Sequence, residues 1–354
     1  MIKEYGYEYD AVLNEEIWNK TKGKVTFEKL AGAYCLRSGR DTLKTIAREF
    51  LPAKVFIPAL ACDSMVKPFE MYGHEVIYYK LNFDYSIDFD YLKAILTDGL
   101  FLYMDYFGKK SILDERLEAL RKTYNLVFIE DRTHNLIWER KSKFQPEYIM
   151  ASLRKWINIP DGGLLWCNRE LKNLYFDDDI VFSETRLKAQ CMRNEFFKTG
   201  DESIKTDYRK IFTSVSNIMD EDKKPSRMSQ YAFEIVINTD WDEIRKKRKE
   251  NSKVLINILK KNNIQLIQNG PGVSDLYVPF LINNRDYSQS ILSPKGIFNT
   301  IVWPLSEEQK TVCSIAKFTE EHMLAAPCDQ RYTVEDMKLI GNEICKIIRG
   351  NENE

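Results

Sequence analysis

The sequence predicts an α/β protein with a mostly parallel, doubly wound sheet, followed by a smaller α+β domain. In the first half of the chain, short apolar runs alternate with amphipathic helical patterns. Several runs, such as residues 126–129, are apolar on both faces, which is typical of strands in a parallel sheet covered by helices. The alternation ends after Asn168, and a chain of 354 residues is long enough for two domains. We therefore predict a large domain at residues 1–235 and a small domain at residues 236–354.

The predicted elements of the large domain follow one another as strand and helix. Strand patterns occur at residues 33–36, 54–58, 75–79, 99–104 and 126–129. Helical patterns lie between them, at residues 39–51, 62–72, 90–96 and 112–123. After a charged, helix-prone region at residues 169–222, we predict a long helical stretch at 228–262, strands at 275–281 and 299–303, and a final amphipathic helix at 333–348.

The overall composition argues against several classes of function. The formal net charge is −1 and the hydrophobic content is 44%, so nothing global indicates a nucleic-acid partner or an anionic membrane. No apolar run approaches the ~18 residues that a bilayer requires, and no signal-peptide pattern is present, which predicts a cytoplasmic protein. The seven scattered cysteines include no C-x-x-C pair, and histidines number three. We therefore expect reduced thiols and no metal site.

One basic run, residues 245–249, has two interpretations. Five consecutive basic residues are compatible with a nucleic-acid surface. Acidic residues flank the run at Asp242, Glu243 and Glu250, which favours a solvated helix face.

The setting of one lysine is the most informative local pattern. Lys155 ends a segment that we interpret as a short polar turn, and residues 160–163 (Pro-Asp-Gly-Gly) then form a corner that opens into an apolar, strand-like run. An amine held between two structured elements can be buried near other positive charges, which lowers its pKa toward neutrality. A neutral amine can attack a carbonyl or form a Schiff base. The alternative is an ordinary solvated lysine.

Upstream of this lysine, a buried strand is followed by a carboxylate. Asp131 comes just after the apolar run 126–129, and His134 lies three residues further on. Ligands of open α/β sheets bind at the carboxyl ends of strands. The alternatives are a loop aspartate that caps the next segment and a packed loop histidine. The order aspartate, histidine, lysine is the one that pyridoxal phosphate (PLP) requires, because a carboxylate keeps its pyridine nitrogen protonated and a lysine holds its aldehyde as an imine.

A turn after the first predicted strand is the candidate phosphate site. Ser38, Gly39 and Arg40 open a helix there. Backbone amides at a helix N-terminus bind anions, and a glycine lets the backbone approach closely. Ser152 lies three residues before Lys155, a spacing that can bring its hydroxyl and the imine to the same end of the cofactor. A simple turn serine is the alternative.

Many short motifs together resemble the fold-type I PLP enzymes, and within these the nucleotide-sugar aminotransferases of the DegT type. Similarity extends from Ser38 to about Ile348. The matching motifs lie at residues 56–59, 72–76, 105–108, 129–134, 162–163, 227–229, 277–280, 296–297, 303–304 and 327–332, with Lys155 and with Arg248 and Asn251. Each motif is weak alone, whereas their order and spacing are specific.

The resemblance implies an aspartate aminotransferase-like fold with PLP covalently bound to Lys155. Asp131 would pair with the pyridine nitrogen and His134 would contact the phenolic oxygen, while the backbone of Gly39 and Arg40 would hold the phosphate. It also implies a homodimer whose sites lie between subunits. The implied reaction moves an amino group from an amino acid, such as glutamate, to a keto sugar that is nucleotide-linked, in surface polysaccharide or sugar biosynthesis.

Three positions depart from the family pattern. Met150 stands where these enzymes have a phosphate-binding serine, Cys62 where an aromatic residue stacks on the cofactor, and Pro225 where an asparagine reaches the partner subunit's phosphate. These losses leave a catalytically silent regulator or scaffold as the alternative function. A sugar dehydratase on the same scaffold is disfavoured, because such enzymes replace the lysine with histidine.

Overall fold

The computed structural model of the chain describes residues 3–108, 114–140, 142–267, 275–301 and 303–351. The strands in these ranges are β1 (Tyr5–Gly6), β2 (Lys29–Leu30), β3 (Ala33–Leu36), β4 (Lys54–Pro58), β5 (Glu75–Tyr79), β6 (Gly99–Met104), β7 (Leu126–Asp131), β8 (Tyr148–Ser152), β9 (Gly163–Cys167), β10 (Tyr277–Leu281), β11 (Ile297–Phe298), β12 (Thr300–Ile301) and β13 (Met323–Pro327).

The helices of the same ranges are α1 (Glu15–Thr21), α2 (Gly39–Ala47), α3 (Asp63–Glu70), α4 (Phe89–Ile95), α5 (Asp114–Thr123), α6 (Val181–Thr199), α7 (Glu202–Glu221), α8 (Gln230–Ile237), α9 (Trp241–Lys261), α10 (Arg285–Leu292), α11 (Glu307–Val312), α12 (Ser314–His322) and α13 (Val334–Asn351). Among them, no helix is long and apolar enough to cross a membrane.

The large sheet is mostly parallel, as predicted. Its eight strands have the order β2-β3-β9-β8-β7-β6-β4-β5. Strands β4 to β8 run parallel to one another, whereas β9, β3 and β2 join at one side with antiparallel pairing. Phe56, Phe101 and Phe128, on β4, β6 and β7, are completely buried. The apolar runs that predicted these strands therefore form the centre of the core.

Two predictions for the segments around the candidate lysine need correction. The first two residues of the segment that we interpreted as a short polar turn, Ala151 and Ser152, end a strand, β8, which pairs with β7 and β9, whereas residues 153–155 form a 3-10 turn as predicted. The strand β7 extends beyond the predicted residue 129 and ends at Asp131, so the carboxylate belongs to the strand itself. The apolar run after the Pro-Asp-Gly-Gly corner forms β9, as predicted.

Helix boundaries follow local capping chemistry. The predicted stretch 228–262 is two helices, because the Asp240 side chain accepts hydrogen bonds from the backbone of Asp242 and Glu243 and starts α9. Gly200, in the left-handed conformation, ends α6, and Asp201 caps α7. The helix predicted at 39–51 ends earlier, at Ala47. Residues 112–113 of the helix predicted at 112–123 and residue 302 of the strand predicted at 299–303 lie outside the described residues.

A second, antiparallel sheet lies in the last part of the chain. Its strand order is β10-β13-β12, and a separate core that includes Leu255, Phe280, Leu324 and Ile340 lies beside it. Tyr5, from the N-terminal segment, packs into this second core. The α+β character of the C-terminal part is confirmed, and the domain boundary after residue 235 stays a prediction.

The basic run in α9 is not a uniformly solvated face. Lys246 and Lys249 are exposed, as expected for the solvated interpretation. Arg248 is completely buried and donates hydrogen bonds to the backbone carbonyls of Trp156 and Asp275. The expectation of a solvated face was therefore wrong for Arg248.

Candidate active site

The strands β7 and β8 end at the edge of a cavity that contains about 510 Å³ of empty space. Because these strands are parallel neighbours, their carboxyl ends place side chains on the same edge of the sheet. The helix α2 packs against β8 and β9 and directs its first residues to the same place. The cavity is bordered by most of the predicted site residues, namely Gly39, Arg40, Asp131, His134, Ser152 and Lys155.

Asp131 presents a buried carboxylate to this cavity. One oxygen, Oδ1, accepts a hydrogen bond from the backbone N–H of Thr133 at 2.7 Å. Burial raises the pKa of Asp131, while the hydrogen bonds of Thr133 and the positive charge of Lys155 oppose that rise. A cation placed against this carboxylate would hold it in the ionised form.

His134 is a neutral hydrogen-bond donor at the cavity wall. Its Nδ1 accepts a hydrogen bond from the backbone N–H of Phe107 at 3.1 Å, so the ring proton belongs on Nε2. Burial and the nearby charge of Lys155 lower the pKa of His134 to about 3. The imidazole stacks between two rings, with centroids 5.3 Å from Phe107 and 6.0 Å from Trp303. Its position and tautomer are therefore fixed at neutral pH.

Lys155 lies in a short 3-10 turn that follows β8, and the next residue ties this turn to its surroundings. The buried indole of Trp156 donates a hydrogen bond to the backbone carbonyl of Thr133 at 2.8 Å. The carbonyl of Trp156 accepts hydrogen bonds from Arg248 Nη2 at 3.1 Å, Gln330 Nε2 at 2.8 Å and the Tyr9 hydroxyl at 3.2 Å. The half-buried amine thus extends from a rigid turn, with Nζ 6.0 Å from the centroid of the Trp303 ring.

The Pro-Asp-Gly-Gly corner brings α2 against this turn. Gly162 has φ +152° and donates a backbone hydrogen bond to the carbonyl of Arg37 at 2.6 Å. A Cβ on Gly163 would lie 2.4 Å from the carbonyl carbon and oxygen of Ser38, so only glycine permits this approach. The buried carboxylate of Asp161 accepts hydrogen bonds from the backbone N–H and hydroxyl of Ser229 at 2.6 and 2.5 Å. The corner is therefore built to hold the N-terminus of α2 beside Lys155.

Two predicted phosphate ligands have their side chains committed elsewhere. The Ser38 hydroxyl caps α2, since it accepts a hydrogen bond from the backbone N–H of Asp41 at 3.1 Å and donates one to the Asp41 carboxylate. Ser38 is not among the residues that border the cavity. The Arg40 guanidinium pairs with Asp220 at 2.9 Å. The backbone of this turn is left to face the cavity, and direct cofactor binding by Ser38 stays a prediction.

The structure adds residues to the site that sequence reasoning missed. Thr133, Arg154 and Trp303 border the cavity. Cys62 also borders it, with Sγ 2.9 Å from the Ser64 hydroxyl. Thr133 and Arg154 adjoin predicted residues and could have been examined for that reason. Trp303 was visible only as part of a motif match, because it reaches the site through the tertiary fold.

A larger cavity adjoins the first one and contains about 940 Å³ of empty space. Ser152, Arg154 and Lys155 border both cavities. The larger one is rich in cations, with Arg186, Arg248 and Arg331 beside the carboxylates of Glu8 and Asp329. A lysine shared by two cavities can act between a cofactor in one and a substrate in the other.

Comparisons with known proteins show the fold. No protein-family profile and no curated protein matches the sequence. Similar solved structures include Helicobacter pylori PseC, an aminotransferase involved in the biosynthesis of pseudoaminic acid, with 15% identity, a TM-score of 0.69 and coverage of 98% of this chain and 100% of that one. A DegT DnrJ EryC1 StrS aminotransferase from Brucella abortus has 15% identity and a TM-score of 0.63 over 94% of this chain and 88% of its own. Spr1654 from Streptococcus pneumoniae, in the PLP form, has 13% identity and a TM-score of 0.69 over 98% and 99%. The predicted fold is confirmed: the chain has the fold of the PLP-dependent, DegT-type aminotransferases.

Proposed function

We propose that the protein is a PLP-dependent aminotransferase that moves an amino group from an amino acid, such as glutamate, to a nucleotide-linked keto sugar. One observation carries this proposal. The amine of Lys155 and the buried carboxylate of Asp131 border the same cavity, beside the N-terminus of a helix. These are the three groups that PLP requires of its protein: an amine for the aldehyde, an anion for the pyridine nitrogen and amides for the phosphate.

The residues present fit this cofactor. The backbone amides of Gly39 and Arg40 are in the first turn of α2, where amides have no carbonyl partner within the helix. Gly39 has no side chain to block an anion, and its Cβ position is already 3.2 Å from the methyl group of Met150. The buried Asp131 carboxylate gains a partner if it meets a protonated ring nitrogen.

Each side chain has a defined task in such a reaction. Bound PLP supplies an electron sink that stabilises negative charge on the carbon attached to the substrate nitrogen. Asp131 keeps the ring nitrogen protonated, which the sink needs. The Lys155 amine would take the proton from the donor α-carbon in the first half-reaction, and its ammonium form would give a proton to the acceptor carbon in the second. The neutral His134 ring can donate a hydrogen bond from its Nε2–H to an oxygen acceptor, because burial prevents protonation of the ring.

The acceptor is inferred from two considerations. PseC is an aminotransferase involved in the biosynthesis of pseudoaminic acid, and the resemblance in sequence motifs is to nucleotide-sugar enzymes. The adjoining cavity also borders Lys155, and its arginines outnumber its carboxylates, which suits an anionic substrate. By the same resemblance, we propose a cytoplasmic homodimer in surface polysaccharide or sugar biosynthesis. Light scattering during gel filtration would test the dimer.

Absorbance spectroscopy tests the function directly. We expect the purified protein, given PLP, to develop a near-visible band that glutamate bleaches and that a suitable keto-sugar nucleotide restores. Bleaching by other amino acids would revise the donor. A bound cofactor that no amino acid bleaches would favour the silent regulator or scaffold instead. Failure to bind PLP at all would refute the proposal.

A further inference from the structure

Arg154 directly precedes Lys155 and has a guanidinium between the two cavities. It borders the cavity at the end of β7 and the larger one beside it. Its Nε is inaccessible to solvent and has no hydrogen-bond partner among the described residues. A buried guanidinium nitrogen without a partner is unfavourable, because desolvation is not compensated.

The charged groups around Arg154 are already paired with others. The carboxylate of Glu8 pairs with Arg186. Arg40 pairs with Asp220, and Asp161 accepts its hydrogen bonds from Ser229. Burial and the repulsion of Arg186 and Arg40 lower the pKa of Arg154 to about 9, although Glu8 and Asp161 oppose this. Among the described residues, Arg154 thus has carboxylates nearby but no ion pair or hydrogen bond of its own with either of them.

Few groups along the smaller cavity can supply positive charge to a phosphate, although the hydroxyl residues Ser64, Thr133 and Ser152 also border it and Lys155 is needed for the aldehyde. A phosphate monoester carries a charge of about −1.5 to −2 at pH 7. The N-terminus of α2 contributes roughly half a positive charge. The Arg40 charge is neutralised by Asp220, the Ser38 hydroxyl is used in capping, and the Met150 side chain presents a methyl group. Of the groups that border this cavity near α2, Arg154 supplies the missing cation.

We propose that Arg154 binds the phosphate group of PLP, together with the backbone amides at the N-terminus of α2. This inference rests on the proposed function, because it assigns a residue to the same cofactor. Binding of the phosphate gives the guanidinium, whose Nε is inaccessible to solvent, an anionic partner. It also places that anion next to Lys155, so the turn that holds the amine takes part in recognising the phosphate.

A comparison of two forms of the cofactor tests the proposal. Dissociation constants for PLP and for pyridoxal, which lacks the phosphate, would be measured by absorbance and equilibrium dialysis. Relative to wild type, Arg154→Gln should weaken PLP binding by about 10-fold or more, as loss of a charge-assisted hydrogen bond does. Its affinity for pyridoxal should change by less than about 3-fold. Arg154→Lys should retain part of the PLP affinity, because it keeps the charge.

The exposed Arg169 provides a matched control, since it lies outside both cavities. Arg169→Gln should bind both forms as wild type does. The proposal would be overturned if Arg154→Gln weakened the binding of PLP and of pyridoxal equally. It would also be overturned if the affinity for PLP were unchanged, which would indicate that Arg154 binds an anion in the larger cavity instead. Circular dichroism and melting temperature establish that each variant is folded. Wild-type protein that binds neither form would instead refute the proposed function.

Discussion

Replacing Gly163 with alanine tests how the candidate site is assembled. A Cβ at this position would lie 2.4 Å from the carbonyl carbon and oxygen of Ser38 and 2.9 Å from the backbone nitrogen of Gly39. Ordinary contact begins near 3.4 Å, so the two backbones must separate by about 1 Å. Neither backbone has a flexible end that can rotate away. The strand pairing of Leu36 with Gly163 would be disturbed at the same point.

Overpacking of this kind costs about 1–3 kcal/mol of the free energy of unfolding. Thermal unfolding followed by circular dichroism should show a melting temperature lower by about 2 °C or more. Because the N-terminus of α2 moves by about 1 Å relative to Lys155, transamination should fall on the order of 10²-fold.

The facing glycine is the matched control. In Gly39→Ala, the nearest atoms to the new methyl group are the Met150 methyl at 3.2 Å and Ser152 Cβ at 3.4 Å. The end of a methionine side chain can rotate, and alanine favours helix, so the free energy of unfolding should change by less than about 1 kcal/mol. A Gly163→Ala protein that melts like wild type, or one that is more stable than Gly39→Ala, would refute this account of the contact.

Three further substitutions test individual residues. The pKa of His134 is lowered to about 3, so the stability that its neutral form contributes is complete above the unfolded value near 6.5 and is lost as pH falls toward 3. In urea titrations between pH 6 and 4, His134→Gln should reduce the pH dependence of the free energy of unfolding by up to about 1.4 kcal/mol per pH unit. An unchanged pH dependence would contradict the assignment of this pKa to His134. Asp131→Asn should fold normally yet lose activity on the order of 10²-fold or more in a coupled transaminase assay, and near wild-type turnover would exclude Asp131 as the partner of the ring nitrogen. Trp156→Phe removes the hydrogen bond to the carbonyl of Thr133 and should lower the free energy of unfolding by about 1–3 kcal/mol, measured with urea; a neutral result would show that this bond does not hold the turn.

The central strands could be predicted because a strand that is buried on both faces has a nearly continuous run of apolar residues. The runs that became β4, β6 and β7 contain almost only apolar residues, and their bounds were found within two residues. Strand β8 was missed, because it is short and its last residues, Ala151 and Ser152, were assigned to the polar turn that follows it. The antiparallel placement of β9 between β3 and β8 depends on pairing between distant segments, which local patterns do not encode.

The candidate site was predictable where its residues lie at strand ends. Asp131 ends β7, and His134 and Lys155 lie within three residues of the ends of β7 and β8, so locating these two neighbouring strands brings the three residues together. Trp303 reaches the cavity from a segment far along the chain, and only the tertiary fold brings it there. The role of Ser38 as a helix cap depends on the position of Asp41, whose carboxylate is oriented by Arg37. Whether the Ser38 hydroxyl caps the helix or binds a ligand thus depends on the three-dimensional packing around it, which the local sequence does not show.

The central claim is that the amine of Lys155 meets the PLP aldehyde in the cavity at the end of β7. Borohydride reduction of the PLP-treated protein, followed by peptide mass spectrometry, tests this most directly. We expect one pyridoxyl group per chain, on Lys155, and none on the Lys155→Ala protein. A folded protein that is labelled on another lysine, or that is not labelled at all, would contradict the claim.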